Sequence, residues 1–166
     1  MNYDYSGYSL IRHMQAMVAR GDLDVLHLIV VEFAHGNHHT DVAPAANWKM
    51  TPWSISEWRG GCQAGVDSSV AIGGQHGLSL QVFGEKGGLR WSQEQPNQLF
   101  WMPLGERLQV IERGEAQLSP EADRTSRVTI GHAEGMPLAF ANIYKDLAEV
   151  IRAEKEERAA DPAADL

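Results

Sequence analysis

The chain has 166 residues, 43% of them hydrophobic and 22% charged, the mixture of one globular domain with a real core and not of a disordered or membrane-embedded chain. Its 14 Lys+Arg stand against 22 Asp+Glu, and a net charge of -8 with no basic stripe excludes a nucleic-acid backbone as a partner. A single cysteine, Cys62, rules out an intramolecular disulfide, Met1 to Tyr8 carries no secretory leader, and no apolar run of about 18 residues could span a bilayer, so a cytoplasmic, membrane-free location is expected.

From Ser9 to Arg20, Leu10, Ile11, Met14, Met17 and Val18 recur at helical spacing, and Gly21 follows where a left-handed cap is wanted. Val25 to Phe33 is short and rich in β-branched residues, which predicts a buried strand. Periodicity is then lost from His35 to Arg59, a long loop holding Pro44, Pro52, Trp48, Trp53 and Trp58. From Cys62 to Ile72, Cys62, Ala64, Val66, Ser68, Val70 and Ile72 fall on one parity, and Leu78, Leu80 and Val82 alternate with Ser79 and Gln81, so two one-sided strands are expected. Gly84 to Gly88 joins the second of them to Leu89, Arg90 and Trp91 as a hairpin. Two short strands follow, Gln98 to Met102 and Leu108 to Glu112, completing an antiparallel meander. After a turn-rich stretch from Gly114 to Gly135, Leu138, Ala141, Tyr144, Leu147, Ala148 and Ile151 mark a second amphipathic helix to about Glu157, with a mixed-sign, solvated charge run from Arg152 to Arg158. Residues 159–166 are expected to fray. The pattern predicts one α+β domain over residues 1–158.

Four stretches, in order, resemble the carboxy-terminal domain of the Gfo/Idh/MocA oxidoreductases, in the branch of inositol dehydrogenase-like sugar enzymes. They are Asp4 to Tyr8 leading into the first helix, Gly21 to Phe33, the hairpin Leu80 to Trp91 continuing through Asn97, and Gly131 to Gly135 followed by Ala139 to Tyr144. Asp4 and Ser9 depart from the Asn and Pro of the family pattern. The resemblance implies an open, mostly antiparallel β-sheet with helices on one face, the dihydrodipicolinate reductase-like carboxy-terminal fold, whose other face pairs with a second subunit. It implies a wall of the substrate site as well, with Tyr5, Tyr8, His132 and Glu134 as the substrate-facing residues. A structural role for the same four, as a turn histidine and packing tyrosines, stands beside that reading with equal weight.

The family's cofactor is NAD(P), held by a preceding Rossmann domain whose turn needs glycines two apart so that the pyrophosphate can approach the backbone. No two of the 16 glycines here are so spaced. The Glu-Lys-Pro and Asp-x-Gly-x-His segments that handle the hydroxyl proton in the family also have no counterpart, since Glu85 and Lys86 precede Gly87 in a hairpin and no Asp is followed four residues later by His. A deletion around residues 35–60 would remove the second segment. No catalytic residue and no cofactor bound by the chain alone are therefore expected, nor a metal: His35, His38, His39 and Asp41 have zinc-like spacing but no ordered frame. Two functions remain: an oxidoreductase domain, acting on sugars or polyols, that depends on a separate Rossmann-domain partner, or a non-catalytic sheet module for self-association or ligand binding.

Overall fold

A computed structural model describes residues 4–34, 63–67 and 77–164. A 3-10 turn, Asp4–Gly7, leads into α1 (Ser9–Ala19), followed by β1 (Leu26–Ala34) and β2 (Gln63–Asp67). The strands β3 (Gly77–Gly84), β4 (Gly87–Ser92), β5 (Gln98–Pro103) and β6 (Gln109–Glu112) come next, then a four-residue helix α2 (Pro120–Asp123) and the long α3 (Met136–Lys155).

The six strands form one sheet in the order β2-β1-β3-β4-β5-β6. Every neighbouring pair is antiparallel except β1 and β2, which run parallel. The meander expected from the sequence is thus confined to β3 through β6, and β2 lies outside β1 at the sheet edge. A parallel pair requires a crossover of a dozen residues or more, and residues 35–62 provide that length between the two strands. The remainder of the Cys62 to Ile72 strand expectation lies outside the described residues.

Strand alternation divides the side chains between two faces. On one face the register aligns Val31, Leu80, Trp91, Leu99 and Ile111 in a row, with Ile29, Val82, Leu89 and Trp101 in the row beside it. Leu10, Met14 and Met17 of α1 close over these rows together with Tyr8 and Leu23, and Trp91, Leu89, Leu99, Leu10 and Leu23 lose all contact with solvent. Burying an aliphatic side chain of this kind contributes about 1.5–3 kcal/mol. The Tyr8 ring lies 5.2 Å from that of Trp91 at 56°, a tilted aromatic contact at the centre of the core. α1 packs on β4 and β5, α2 on α1, and α3 on the 3-10 turn, so the helices share this side of the sheet.

The opposite face carries Val30, Gln81, Arg90, Phe100 and Val110 in one row and Leu28, Phe83, Gly88 and Met102 in the next. It keeps substantial exposure: Leu28 is 37% and Val110 44% accessible. The Arg90 guanidinium sits 4.7 Å over the Phe100 ring, a cation–π contact between neighbouring strands.

The hairpin between β3 and β4 is tighter than the sequence suggests. Gly84 and Gly87 pair directly, leaving Glu85 and Lys86 as a two-residue turn. Gly87 has φ +156°, and a Cβ there would meet the Met102 carbonyl oxygen at 2.5 Å. The tail also differs from its expected fraying up to residue 164: Arg158 donates twice to Glu149, at 2.6 and 3.1 Å, the Asp161 amide donates to the same carboxylate, and Ala164 is buried.

The tightest helix contact yields a stability prediction. A Cβ on Gly7 would fall 2.0 Å from the backbone oxygen of Ala139, so backbone must move against backbone. Gly7→Ala is expected to cost about 2–3 kcal/mol in urea unfolding, whereas Gly105→Ala, with φ +80° but open space around it, should cost about 1 kcal/mol.

Candidate functional site

The residues expected to face a substrate lie where the 3-10 turn, the start of α3 and the far ends of β5 and β6 converge. Glu134 is buried, and its Oε1 accepts the amides of Arg127 and Val128, both at 2.6 Å, with the Arg113 Nη1 at 3.1 Å. Arg113, only 4% exposed, also donates through Nε to Asn97 Oδ1 at 2.8 Å and through its two terminal nitrogens to the Val128 and His132 carbonyls. Asn97 closes the circuit by exchanging hydrogen bonds with the Glu134 backbone, each at 3.1 Å. His132 contributes its carbonyl to this network while its residue surface is exposed. A carboxylate so surrounded fixes the turn before α3, and ionised hydrogen-bond partners make such contacts about twice as strong as neutral ones.

A second strand of the same network reaches the tyrosines. Asn142 of α3 donates from Nδ2 to the Gly7 carbonyl at 2.9 Å and to Thr125 at 3.3 Å, while its Oδ1 accepts Arg127 Nε at 2.8 Å. Gly7 lies between Tyr5 and Tyr8, so all four expected residues are joined through Asn142 and Arg127. Tyr8 packs in the core against Trp91, and Tyr5 is half-buried beside it.

Sequence reasoning did not single out Arg113, Asn97, Arg12 or Asp146. Asp146 has no exposure and lies between two guanidinium groups, Arg12 at 2.5 Å and Arg124. That cluster ties α1, the end of α2 and α3 together. Arg12 and Asp146 fall on the inner faces of α1 and α3, and a charged residue in register with the apolar stripe of an amphipathic helix is the sequence signal that marks them.

The buried His13 binds the same helices by other means: its Nδ1 accepts the Ser119 amide at 3.0 Å. Burial, with the Arg20 charge adding to it, holds its pKa below the ordinary 6.5. On the surface, Arg158 draws the Glu149 carboxyl down to about 2.

None of the described helix starts offers the glycine turn a dinucleotide would need: α1 is entered from a 3-10 turn, α2 has four residues, and the turn before α3 has glycines four apart at Gly131 and Gly135. Among the described residues there is also no group of three His, Cys, Asp or Glu side chains able to hold a metal, and no helix is long and apolar enough to cross a membrane. Cys62, the cluster His35, His38, His39 and Asp41, and Trp48, Trp53 and Trp58 lie outside the described residues. Trp91 is wholly buried and Trp101 packs against the core, as the strand positions suggested.

No family model matches the chain. It is 22% identical over 212 residues to an oxidoreductase of Bacillus subtilis (strain 168), "Uncharacterized oxidoreductase YfiI", a match covering 95% of this chain and 54% of that protein. A matched stretch of 212 residues exceeds the 166 of this chain, so the relative carries within it residues that have no counterpart here. Among solved structures, an inositol dehydrogenase homolog from Azotobacter vinelandii, complexed with NADH and myo-inositol, superposes with a TM-score of 0.79 at 29% identity over 94% of this chain and 53% of its own. An oxidoreductase from Sinorhizobium meliloti gives a TM-score of 0.78 at 28% identity, over 98% of this chain and 55% of that one. The chain thus spans about half the length of the relatives it matches.

Two measurements check the energetics of the site. Glu134→Ala leaves Arg113 buried without its carboxylate and is expected to lower unfolding free energy by about 3–5 kcal/mol. For His13, a folded-state pKa below the unfolded value means that the unfolded chain takes up the proton first. Its contribution is complete above about pH 6.5 and is lost as pH falls from there towards the depressed folded value. Urea midpoints should therefore decline below about pH 6.5, and His13→Asn, which keeps an acceptor but does not titrate in this range, should flatten that decline.

Proposed function

We propose, from the premise that this chain is the carboxy-terminal domain of a Gfo/Idh/MocA-like oxidoreductase of the inositol dehydrogenase-related branch, that it forms the substrate wall and the subunit interface of an enzyme completed by a dinucleotide-binding unit outside these 166 residues. The observation that carries this reading is the match itself: 94% of the chain accounts for only 53% of a relative that holds NADH and myo-inositol. The class of reaction is NAD(P)-dependent oxidation of a sugar or polyol. In this reading NAD(P) is held by that second unit, and the homolog complexed with NADH supports a nicotinamide cofactor for the complete enzyme. The share of this chain is orientation: Tyr5 and the exposed His132 line the wall, and the core-packed Tyr8 and the buried Glu134 hold it in place together with the Arg113, Asn97 and Asn142 hydrogen bonds.

Two exposed apolar surfaces support partners. The row of Leu28, Phe83 and Met102 with Val30, Phe100 and Val110 gives the open sheet face a patch suited to a second copy of the chain. On α3, Met136, Phe140, Tyr144, Leu147 and Ile151 follow one another at helical spacing, each at least 40% exposed, and this stripe suits the dinucleotide-binding unit. The rival reading, a non-catalytic sheet module, draws on Glu134, whose Oε1 is already engaged by two amides and a guanidinium.

Mixing the chain with the dinucleotide-binding half of the Azotobacter homolog and following NADH formation at saturating myo-inositol separates the two. Recovery of inositol-dependent reduction supports the enzyme reading; complex formation without turnover supports the module. NADH or NADPH added to the chain alone should give no fluorescence enhancement, and micromolar affinity there would overturn both. Light scattering is expected to give a dimer, and Phe100→Glu on the open face to give a monomer; a wild-type monomer at high concentration would remove the interface from the proposal.

A further inference from the structure

Few groups hold α2 against α1, and one of them titrates. The helix has four residues and one wholly buried apolar side chain, Ala122, whereas α1 is anchored in the core by Leu10, Met14 and Met17. The fastening of residues 119–126 to α1 is largely polar. Ser9 Oγ donates to the Ala122 carbonyl at 2.7 Å and meets Ser126 Oγ at 2.8 Å, while the Ser119 amide donates to His13 Nδ1 at 3.0 Å. His13 is 4% exposed. Because its Nδ1 accepts, the ring is neutral and carries its proton on Nε2. A second proton would sit on Nδ1 and face the Ser119 N–H, so that two donors meet, the bond is lost and a charge stands out of water. The charged groups around the ring are Arg20 of α1, Asp22 of the turn that follows and Glu121 of α2. Burial and Arg20 oppose the charged form more than the two carboxylates favour it, so the docked arrangement fits the neutral ring.

We propose that protonation of His13 undocks residues 119–126 from α1, which makes this contact a pH-sensitive latch built into the fold. The α2 side yields because it has the smaller apolar anchor, and short elements with few buried contacts open at lower free energy than the core. The release is passed on through bonds already described. Asn142 holds the Thr125 carbonyl at 3.3 Å and Arg127 Nε at 2.8 Å, and the amides of Arg127 and Val128 are the ones that Glu134 accepts. The turn that carries His132 therefore loosens together with α2 as pH falls. The significance of that loosening for catalysis rests on the substrate-wall reading, whereas the latch itself does not.

The test follows backbone amide shifts and heteronuclear NOE values of the 15N-labelled full chain between about pH 7.5 and about pH 5.5, the range in which a histidine changes charge. The NOE values of residues 119–126 are expected to fall as pH is lowered, and the Arg127 and Val128 amides to shift with them, while the amides of β4 keep their order. The ratio of undocked to docked chain should rise by up to about tenfold per pH unit below about 6.5, the limit set by one proton. His13→Asn places a non-titrating oxygen where Nδ1 stood and should keep the segment ordered across the range. Ser119→Pro removes the donor at a φ of -62° that suits proline, and should leave the segment mobile at every pH. Either variant suffices if the other fails to fold. An unchanged segment 119–126 at low pH, the same loss of order in His13→Asn as in the wild type, or loss of order in β4 at the same pH would overturn the proposal.

Discussion

The arrangement of the helices depends on one carboxylate. Asp146 has no contact with solvent and receives Arg12 from α1 and Arg124 from the residue that ends α2. Removing a charge from water costs several kcal/mol, and the attraction of opposite charges offsets that cost only where geometry is good and the remaining polar atoms are bonded. Two cations around one anion make the cluster directional in a way that apolar packing is not. It specifies which turn of α3 faces which turn of α1, and the contact between Gly7 and Ala139, the Asn142 bonds and the position of the turn at Glu134 all follow from that register. The sheet is held differently, by interlocked rows of apolar side chains around Trp91, whose alternation fixes the strand register because a one-residue slip would turn a buried row to the other face.

Much of the sheet was legible because strand alternation writes burial into sequence. Leu78, Leu80 and Val82 face the core as their parity required, and the elements α1, β1, β3, β5 and α3 begin and end within one or two residues of where caps, glycines and prolines placed them. The parallel pairing of β2 was not legible, since residue pattern reports which face of a strand is buried and not which neighbour it takes. The α2 turn was missed for another reason: four residues with Pro120 at the start carry no periodicity, and their helix is set by packing on α1.

The candidate site was legible only through family likeness. Nothing in the spacing of Tyr5, Tyr8, His132 and Glu134 brings them together, because they are separated by the whole sheet in sequence. What joins them is a set of polar residues, Asn97, Arg113, Arg127 and Asn142, that periodicity treats as solvent-facing. Arg113 is the clearest case: it follows the edge strand β6, where an arginine ordinarily meets water, yet it is less accessible than the core residue Leu78. Polar residues buried for the sake of one another leave no trace in a hydropathy pattern, and only the three-dimensional network exposes their role.

The strand β6 closes the sheet on the side away from β2 and is only four residues long, Gln109 to Glu112. A border this brief, ending in an acidic side chain, offers little template for another polypeptide to zip onto. Lateral fibre-like growth is thereby discouraged at that margin.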